Sequence, residues 1–203
     1  MKQESQENIE DYKIWYPYEI FYIESMLSIT RTAMDDQTLF RNTLEHLAQG
    51  NDLNQEVIII DTVQNIINHA ASISRYFWPS STQNIHKKRG QKLRDSFHIE
   101  ESNPLKNRDV RNFIEHFDEK LDLYISKGIC GNVIPSYVGP EKLDNGVANY
   151  FFRSFYTDKC IFKVLDLKYE IPSIINELIR IHLLLEKFRD EGGRLPRINN
   201  NNN

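Results

Sequence analysis

At Arg111-Asn112-Phe113-Ile114-Glu115-His116 an arginine, an adjoining polar residue and a histidine stand within six positions. An imidazole titrates near neutrality and moves protons in either direction, whereas a guanidinium keeps its charge and offers a fork of donors matched to phosphate oxygens. Together they suit RNA cleavage. The 2′-hydroxyl attacks the adjacent phosphate, the histidine assists proton transfer, and the arginine stabilises charge building on the phosphorus centre. General acid–base assistance of this kind contributes about 10² to 10⁴ in rate. No metal is needed for it, no Cys/His spacing resembles a zinc site, and neither a metal nor another cofactor is expected.

The surrounding pattern reads as a helix. With Val110 at zero on a wheel of about 100° per residue, Phe113, Ile114, Phe117, Leu121, Tyr124 and Ile125 fall within about 60° of it and form a core stripe. Asn112 and His116, at about 200° and 240°, are neighbours on the opposite side. Arg111 lies off that ridge, but its long stem can carry the guanidinium towards the imidazole. Leu123, at about 220°, adds an apolar residue to the histidine's side and implies a second contact surface, for another helix of the chain or for a partner subunit. The plainer alternatives are an intrahelical Arg111–Glu115 pair, worth a few tenths of a kcal/mol, and a solvated acidic face at Asp118, Glu119 and Asp122.

The same spacing recurs at Arg41-Asn42-Thr43-Leu44-Glu45-His46. Leu39, Phe40, Leu44 and Leu47 make an apolar stripe whose flank carries His46, so this histidine is expected to be partly packed and the later copy is preferred. Positive charge for an RNA is sought in Lys87, Lys88 and Arg89, with Arg75, Lys92 and Arg94 near them in sequence. The first three fall in a polar stretch, 80–90, that reads as a loop, either simply solvated or in contact with phosphate.

Arg111-Asn112-x-x-x-His116 resembles the signature of the HEPN superfamily: arginine, a polar residue, then histidine four to six positions beyond the arginine. The run from Ser102-Asn103-Pro104-Leu105 through Phe117-Asp118-Glu119-Lys120-Leu121-Asp122 is similar to a bacterial protein group of uncharacterised function. The neighbourhoods of His69-Ala70-Ala71 and Trp78-Pro79 extend that likeness over most of the chain. The resemblance implies a helical bundle that often dimerises and, in active members, a metal-independent endoribonuclease serving as a toxin or defence effector, with Arg111, Asn112 and His116 as catalytic residues. An antitoxin partner and a homodimer whose site forms between two such helices would follow. Members that have lost activity imply the alternative, a non-catalytic protein- or nucleotide-binding module.

The elements that must position these residues are mostly helices. Aromatic and aliphatic residues crowd 17–33, with Pro17 in a first turn. Asp36 reads as the N-cap of a second helix over 37–48 that Gly50 stops. Ile59, Ile60, Val63, Ile66, Ile67, Ala70, Ala71 and Phe77 share one side of a long helix over 54–77, closed by Trp78-Pro79. A short helix is expected over 92–97, and Asn103-Pro104 opens the approach to the signature helix. Glycine and proline then punctuate a long irregular connection to about 146, β-rich 150–156 and 160–167 flank Thr157-Asp158-Lys159 as a hairpin, and Pro172 opens a last helix to Phe188. The expectation is one mainly α domain over 1–198, an HEPN-like helical bundle with a β-hairpin insert at about 150–167 before the C-terminal helix.

The 203 residues are 40% apolar and 27% charged, an ordinary globular mixture, and a net charge of −4 provides no overall basic field for nucleic acid. Any RNA contact must be local. The first eleven residues carry neither a basic nor an apolar signal region, and apolar stretches fall short of the roughly 20 residues of a membrane span. Two cysteines, Cys130 and Cys160, are then expected as reduced thiols in a cytoplasmic protein. The asparagine run at 199–203 is expected to be disordered.

Overall fold

The computed structural model describes residues 14, 16–50, 53–107, 117–128, 130–141 and 146–196. Helices dominate: α1 (Tyr16–Ala48), α2 (Leu53–Phe77), α3 (Asn84–Ser96), α4 (Phe117–Ser126) and α5 (Ile171–Asp190), with a 3-10 turn at Pro104–Lys106. Among the described residues the strands β1 (Asn132–Gly139), β2 (Asn149–Tyr156), β3 (Ile161–Val164) and β4 (Leu167–Glu170) form one sheet in the order β1-β2-β3-β4. No helix in this part of the chain is long and apolar enough to cross a membrane. Both cysteines are free thiols.

The apolar period of α2 becomes the centre of the core. Ile59, Ile60, Val63, Ile66, Ile67, Ala70, Ala71 and Phe77 are all fully buried. Ile23, Met26 and Leu27 of α1 and Leu178, Ile181 and Leu185 of α5 join the same cluster. Cross-links give the directions. Ser25 Oγ lies 2.5 Å from the Tyr76 hydroxyl and His69 Nε2 lies 3.0 Å from Asp36 Oδ2, so α1 and α2 are antiparallel. Thr30 Oγ1 meets His182 Nδ1 at 2.9 Å and Gly193 packs on Ile20, so α5 also runs against α1.

The first two expected helices are one. Between Pro17 and Gly50 no glycine or proline interrupts the backbone. Asp36 caps nothing; its carboxylate faces His69, and α1 continues for 33 residues. It ends at Gly50, whose φ of +95° is the left-handed geometry that closes a helix.

The hairpin is present, since β2 and β3 pair antiparallel with Arg153 opposite Val164 and Tyr156 opposite Ile161. It belongs to a larger sheet than expected. β4 pairs antiparallel with β3, and β1 lies parallel to β2, in a stretch the glycines and prolines had marked as irregular. Val133, Ile134, Tyr137 and Val138 supply the β-favouring side chains there. Phe155 carries the sheet onto the helices by an edge-to-face contact with Phe40 at 5.3 Å.

Glu141 holds the end of β1 to the hairpin. Its carboxylate accepts from Lys159 and from Lys168 Nζ, the latter at 2.8 Å, and its N–H donates to Asp158. The hydrogen bonds from Lys159 and Lys168 hold this carboxyl down at about 2. A carboxyl depressed in the folded state contributes stability above its unfolded value and loses it as pH falls through the folded one. The Glu141 contribution is therefore present above about pH 4.5 and fades towards pH 2. A carboxyl-carbon NMR titration should show Glu141 among the last side chains to protonate, and Lys159→Ala with Lys168→Ala should return it towards an ordinary glutamate.

Candidate functional site

Arg111, Asn112 and His116 lie outside the described residues, as do Val110, Phe113 and Ile114. What the structure describes is the chain on either side. Before the signature, Asn103 Oδ1 accepts from the N–H of Leu105 at 2.9 Å and caps the 3-10 turn. The Asn103 amide donates to Glu177 Oε1 of α5 at 2.6 Å, and Arg180 grips the same carboxylate through Nε and Nη2 while its Nη1 donates to Phe97 O. Leu105 is fully buried, and its carbonyl accepts from the buried Ser74 hydroxyl of α2 at 2.6 Å. A short turn is thereby tied to two core helices.

After the signature, Phe117 meets Phe152 of β2 at 5.7 Å, edge to face. Phe117, Leu121 and Tyr124 are half-buried, in keeping with the expected stripe, and burial pushes the Tyr124 phenol up. Ile125 departs from the stripe, being 53% exposed, and no residue of α4 is fully buried. This part of the helix rests on the sheet rather than near the centre of the bundle, and among the described residues nothing covers its last turn. Asp118, Glu119 and Asp122 face solvent, as does Leu123 at 67% exposure. Leu123, Lys120 and Tyr124 border a largely apolar hollow of about 200 Å³, closed on its other side by Leu165 and Leu167.

The basic residues correct the sequence reading. Lys87, Lys88 and Arg89 are on α3, which begins at Asn84, and not in a loop. Arg89 Nη2 donates to the Arg75 carbonyl at 3.1 Å, and Arg94 Nη1 donates to the Phe77 carbonyl. Cations thus satisfy the last carbonyls of α2, where a helix dipole favours positive charge. Lys92 Nζ stands 3.2 Å from Oε1 of Glu19, a fully buried carboxylate that also accepts from the N–H of Leu195. Gly90 permits the close approach, because a Cβ there would meet the Phe77 carbonyl at 2.7 Å. Arg89, Lys92 and Arg94 therefore fasten helices together, while Lys87 projects into solvent.

The earlier copy of the spacing is described in full. Arg41, Asn42 and His46 are all exposed on α1, contrary to the expected partial packing of His46. The cover ends too soon: Phe40 and Thr43 are buried, Leu44 and Leu47 half-buried, and His46 falls beside them in the last turn. On this helix Arg41 and His46 are about 140° apart, the separation that this spacing gives on any α-helix, so the angle does not distinguish the two copies.

Among the described residues no group of three or more His, Cys, Asp and Glu side chains is placed to hold a metal ion. His69 and His182 are instead paired with Asp36 and Thr30 between helices. The Ser74–Leu105 and Asn103–Glu177–Arg180 ties escaped the sequence reading. Asn103-Pro104 was a visible signal for a turn, whereas partners 31 and 74 residues away leave no local pattern. Ser74→Ala should cost about 1–3 kcal/mol by stranding the buried Leu105 carbonyl, measurable as a shift of the urea midpoint at constant slope.

Comparison with protein-family models, curated proteins and solved structures gives no match to this chain.

Proposed function

We propose that the chain is a metal-independent endoribonuclease of HEPN type, with Arg111, Asn112 and His116 as its catalytic residues and a toxin or defence role. The observation that carries this reading is the fastening of the chain on both flanks of the signature, through the Leu105 carbonyl by Ser74 and through the Phe117 ring by Phe152. A short catalytic segment needs such ties, because misplacement of reacting groups by about 1 Å can cost about 10² in rate.

In the proposed reaction a histidine accepts the proton of the ribose 2′-hydroxyl as its oxygen bonds to phosphorus. The bond from phosphorus to the 5′ oxygen breaks, and that oxygen takes up a proton. The ends are a 2′,3′-cyclic phosphate and a 5′-hydroxyl. Arg111 balances charge on the non-bridging oxygens.

Purified protein incubated with bulk RNA in EDTA should leave cyclic phosphate ends. His116→Ala and Arg111→Ala should lower the rate by about 10² or more, with His46→Ala close to wild type. Equal loss in His46→Ala would transfer the role to the copy on α1. Absence of cleavage would favour the alternative, a non-catalytic binding module, for which the apolar hollow beside Leu123 offers a protein contact.

The proposed assembly is a symmetric homodimer through the Leu123 side of α4. Leu123 is exposed on the helix that follows the signature, and a two-fold axis on its side would set two arginines and two histidines in one cleft. Doubling the arginines would also supply local charge that an acidic chain lacks. Leu123→Asp should weaken dimerisation and cleavage together, since a carboxylate buried without a partner is costly. Sedimentation showing a monomer at micromolar concentration, or a dimer indifferent to the substitution, would exclude this assembly.

A further inference from the structure

Ser154 of β2 is fully buried, yet its Oγ meets no hydrogen-bond partner. A hydroxyl left unpaired inside a protein costs free energy, and an orphan of this kind marks a place where an acceptor or donor is missing. The residue directly opposite on β3 is Lys163. Strand alternation sends both side chains to one face of the sheet, because Phe155, Phe162 and Val164, their neighbours along the strands, are buried in the core on the other. Lys163 is half-buried and, alone among the cations of the described strands, makes no ion pair or hydrogen bond. Arg153 is held by Asp61, and Lys168, opposite Lys163 on β4, shares Glu141 with Lys159. Glu170, the acid on the same face of β4, is exposed and makes no pair with Lys163.

The same face carries Phe152, two residues before Ser154, against which Phe117 packs. The end of α4 that follows the signature is therefore the end nearer Ser154 and Lys163, while at its far end Lys127 pairs with Asp166 in the turn beyond β3. Lys120, one turn after Phe117, is a second half-buried lysine without an ion pair or hydrogen bond. It lines the hollow with Leu165, two residues after Lys163. Asp118, Glu119 and Asp122 of α4 face solvent instead. Two uncompensated cations and an orphan hydroxyl thus border the seam between α4 and the sheet, in a chain whose net charge is −4.

We infer that Lys163 and Ser154 form a phosphate-binding subsite for an RNA backbone, with Lys120 the next cation along the seam; the inference rests on the ribonuclease reading and adds a second contact for its substrate. An ammonium and a hydroxyl both offer donors, so what completes them is an anion with more than one acceptor oxygen. A phosphodiester has two non-bridging oxygens, one for the Ser154 Oγ and one for the Lys163 Nζ. Solvent reaches the pair at Lys163 and not at Ser154, so the anion enters along the lysine stem. Position selects the nucleic acid. Phe117 follows His116 in the chain, and a strand cleaved at the signature carries its neighbouring phosphates past this end of α4.

The probe is a fluorescein-labelled, unstructured RNA of about 15 nucleotides, with 2′-O-methyl riboses so that it binds without being cleaved. In fluorescence anisotropy with the full chain, Lys163→Ala should weaken binding about tenfold and lower the slope of log affinity against log salt by about 0.7, the share of one phosphate. Lys163→Arg should keep most of both. Arg31→Ala, which removes an exposed cation of α1, should change neither. Ser154→Ala separates binding from packing: loss of an unpaired buried hydroxyl should leave the urea midpoint unchanged or raised, while RNA affinity falls by up to about tenfold. RNA affinity indifferent to Lys163→Ala, or lost equally in Arg31→Ala, would overturn the subsite, and indifference is also the outcome if an acidic protein segment fills it. Calorimetry with inorganic phosphate alone should give no heat that depends on Lys163; such heat, with RNA affinity unchanged in Lys163→Ala, would assign the site to a free anion and overturn the backbone contact. Lys163-dependent binding without cleavage of ordinary RNA would remove the ribonuclease reading and leave the subsite. Cleavage and binding indifferent to Lys163 would do the reverse.

Discussion

Every element that matters to the candidate site is seated, directly or at one remove, on the apolar stripe of α2. That stripe removes eight aliphatic and aromatic side chains wholly from water, and burial of a large one contributes about 1.5–3 kcal/mol. α1 and α5 complete the layer, α3 closes its end through Phe77 against Phe97, and Ser74, one turn before Phe77, holds the turn that leads to the signature. A defect in the stripe would therefore reach the flanks of the candidate site without touching a proposed catalytic residue. The polar ties are weaker, at about 0.5–1.5 kcal/mol for an ordinary hydrogen bond. Hydrophobic burial decides that the helices pack, and ties such as Asp36–His69 and Thr30–His182 favour one alignment along the seam.

Charge is used for the same end. Arg89 and Arg94 meet carbonyls at the end of α2, Lys92 meets Glu19 in the interior, and Arg180 is committed to Glu177 and Phe97. A basic run read as a phosphate contact is thus spent largely on structure. Truncating Arg94 would leave the Phe77 carbonyl without this donor, so loss of the proposed RNA cleavage in such a variant would not separate binding from folding. Lys87, which projects outward, is the better reporter.

Helical periodicity made α2 and α5 legible almost to the residue, because each has one apolar face and a plain stop: Trp78-Pro79 after α2, Gly192-Gly193 after α5. Asp36 misled because an N-cap and a mid-helix acid look alike until the partner is known, and His69 is 33 positions away. β1 was hidden for a similar reason. Its flanking glycines and Pro135 spoke for a loop, whereas its pairing with β2 depends on residues 17 positions further on. The Phe117-Leu121-Tyr124 stripe of α4 was readable, but not the surface it would meet, which is the sheet rather than the helical core. The signature itself was legible only as residue types and spacing.

The two copies of that spacing show why types and spacing are insufficient. On α1, Arg41 and His46 are held in a regular helix and both are exposed to water. A phosphate there would meet high dielectric and screened charge, conditions in which a guanidinium stabilises little of the developing charge. The later copy is bordered differently. Its flanks are tied to α2, α5 and β2, and the helix that follows carries exposed Leu123 beside an apolar hollow. A second subunit seated on that helix would exclude water and lower the local dielectric, so each charge would act more strongly. On the proposed reading, the physical distinction between a coincidental Arg-Asn-x-x-x-His and a working one is whether something can close over it, and the exposed Leu123 beside the apolar hollow offers a surface on which such closure could be built.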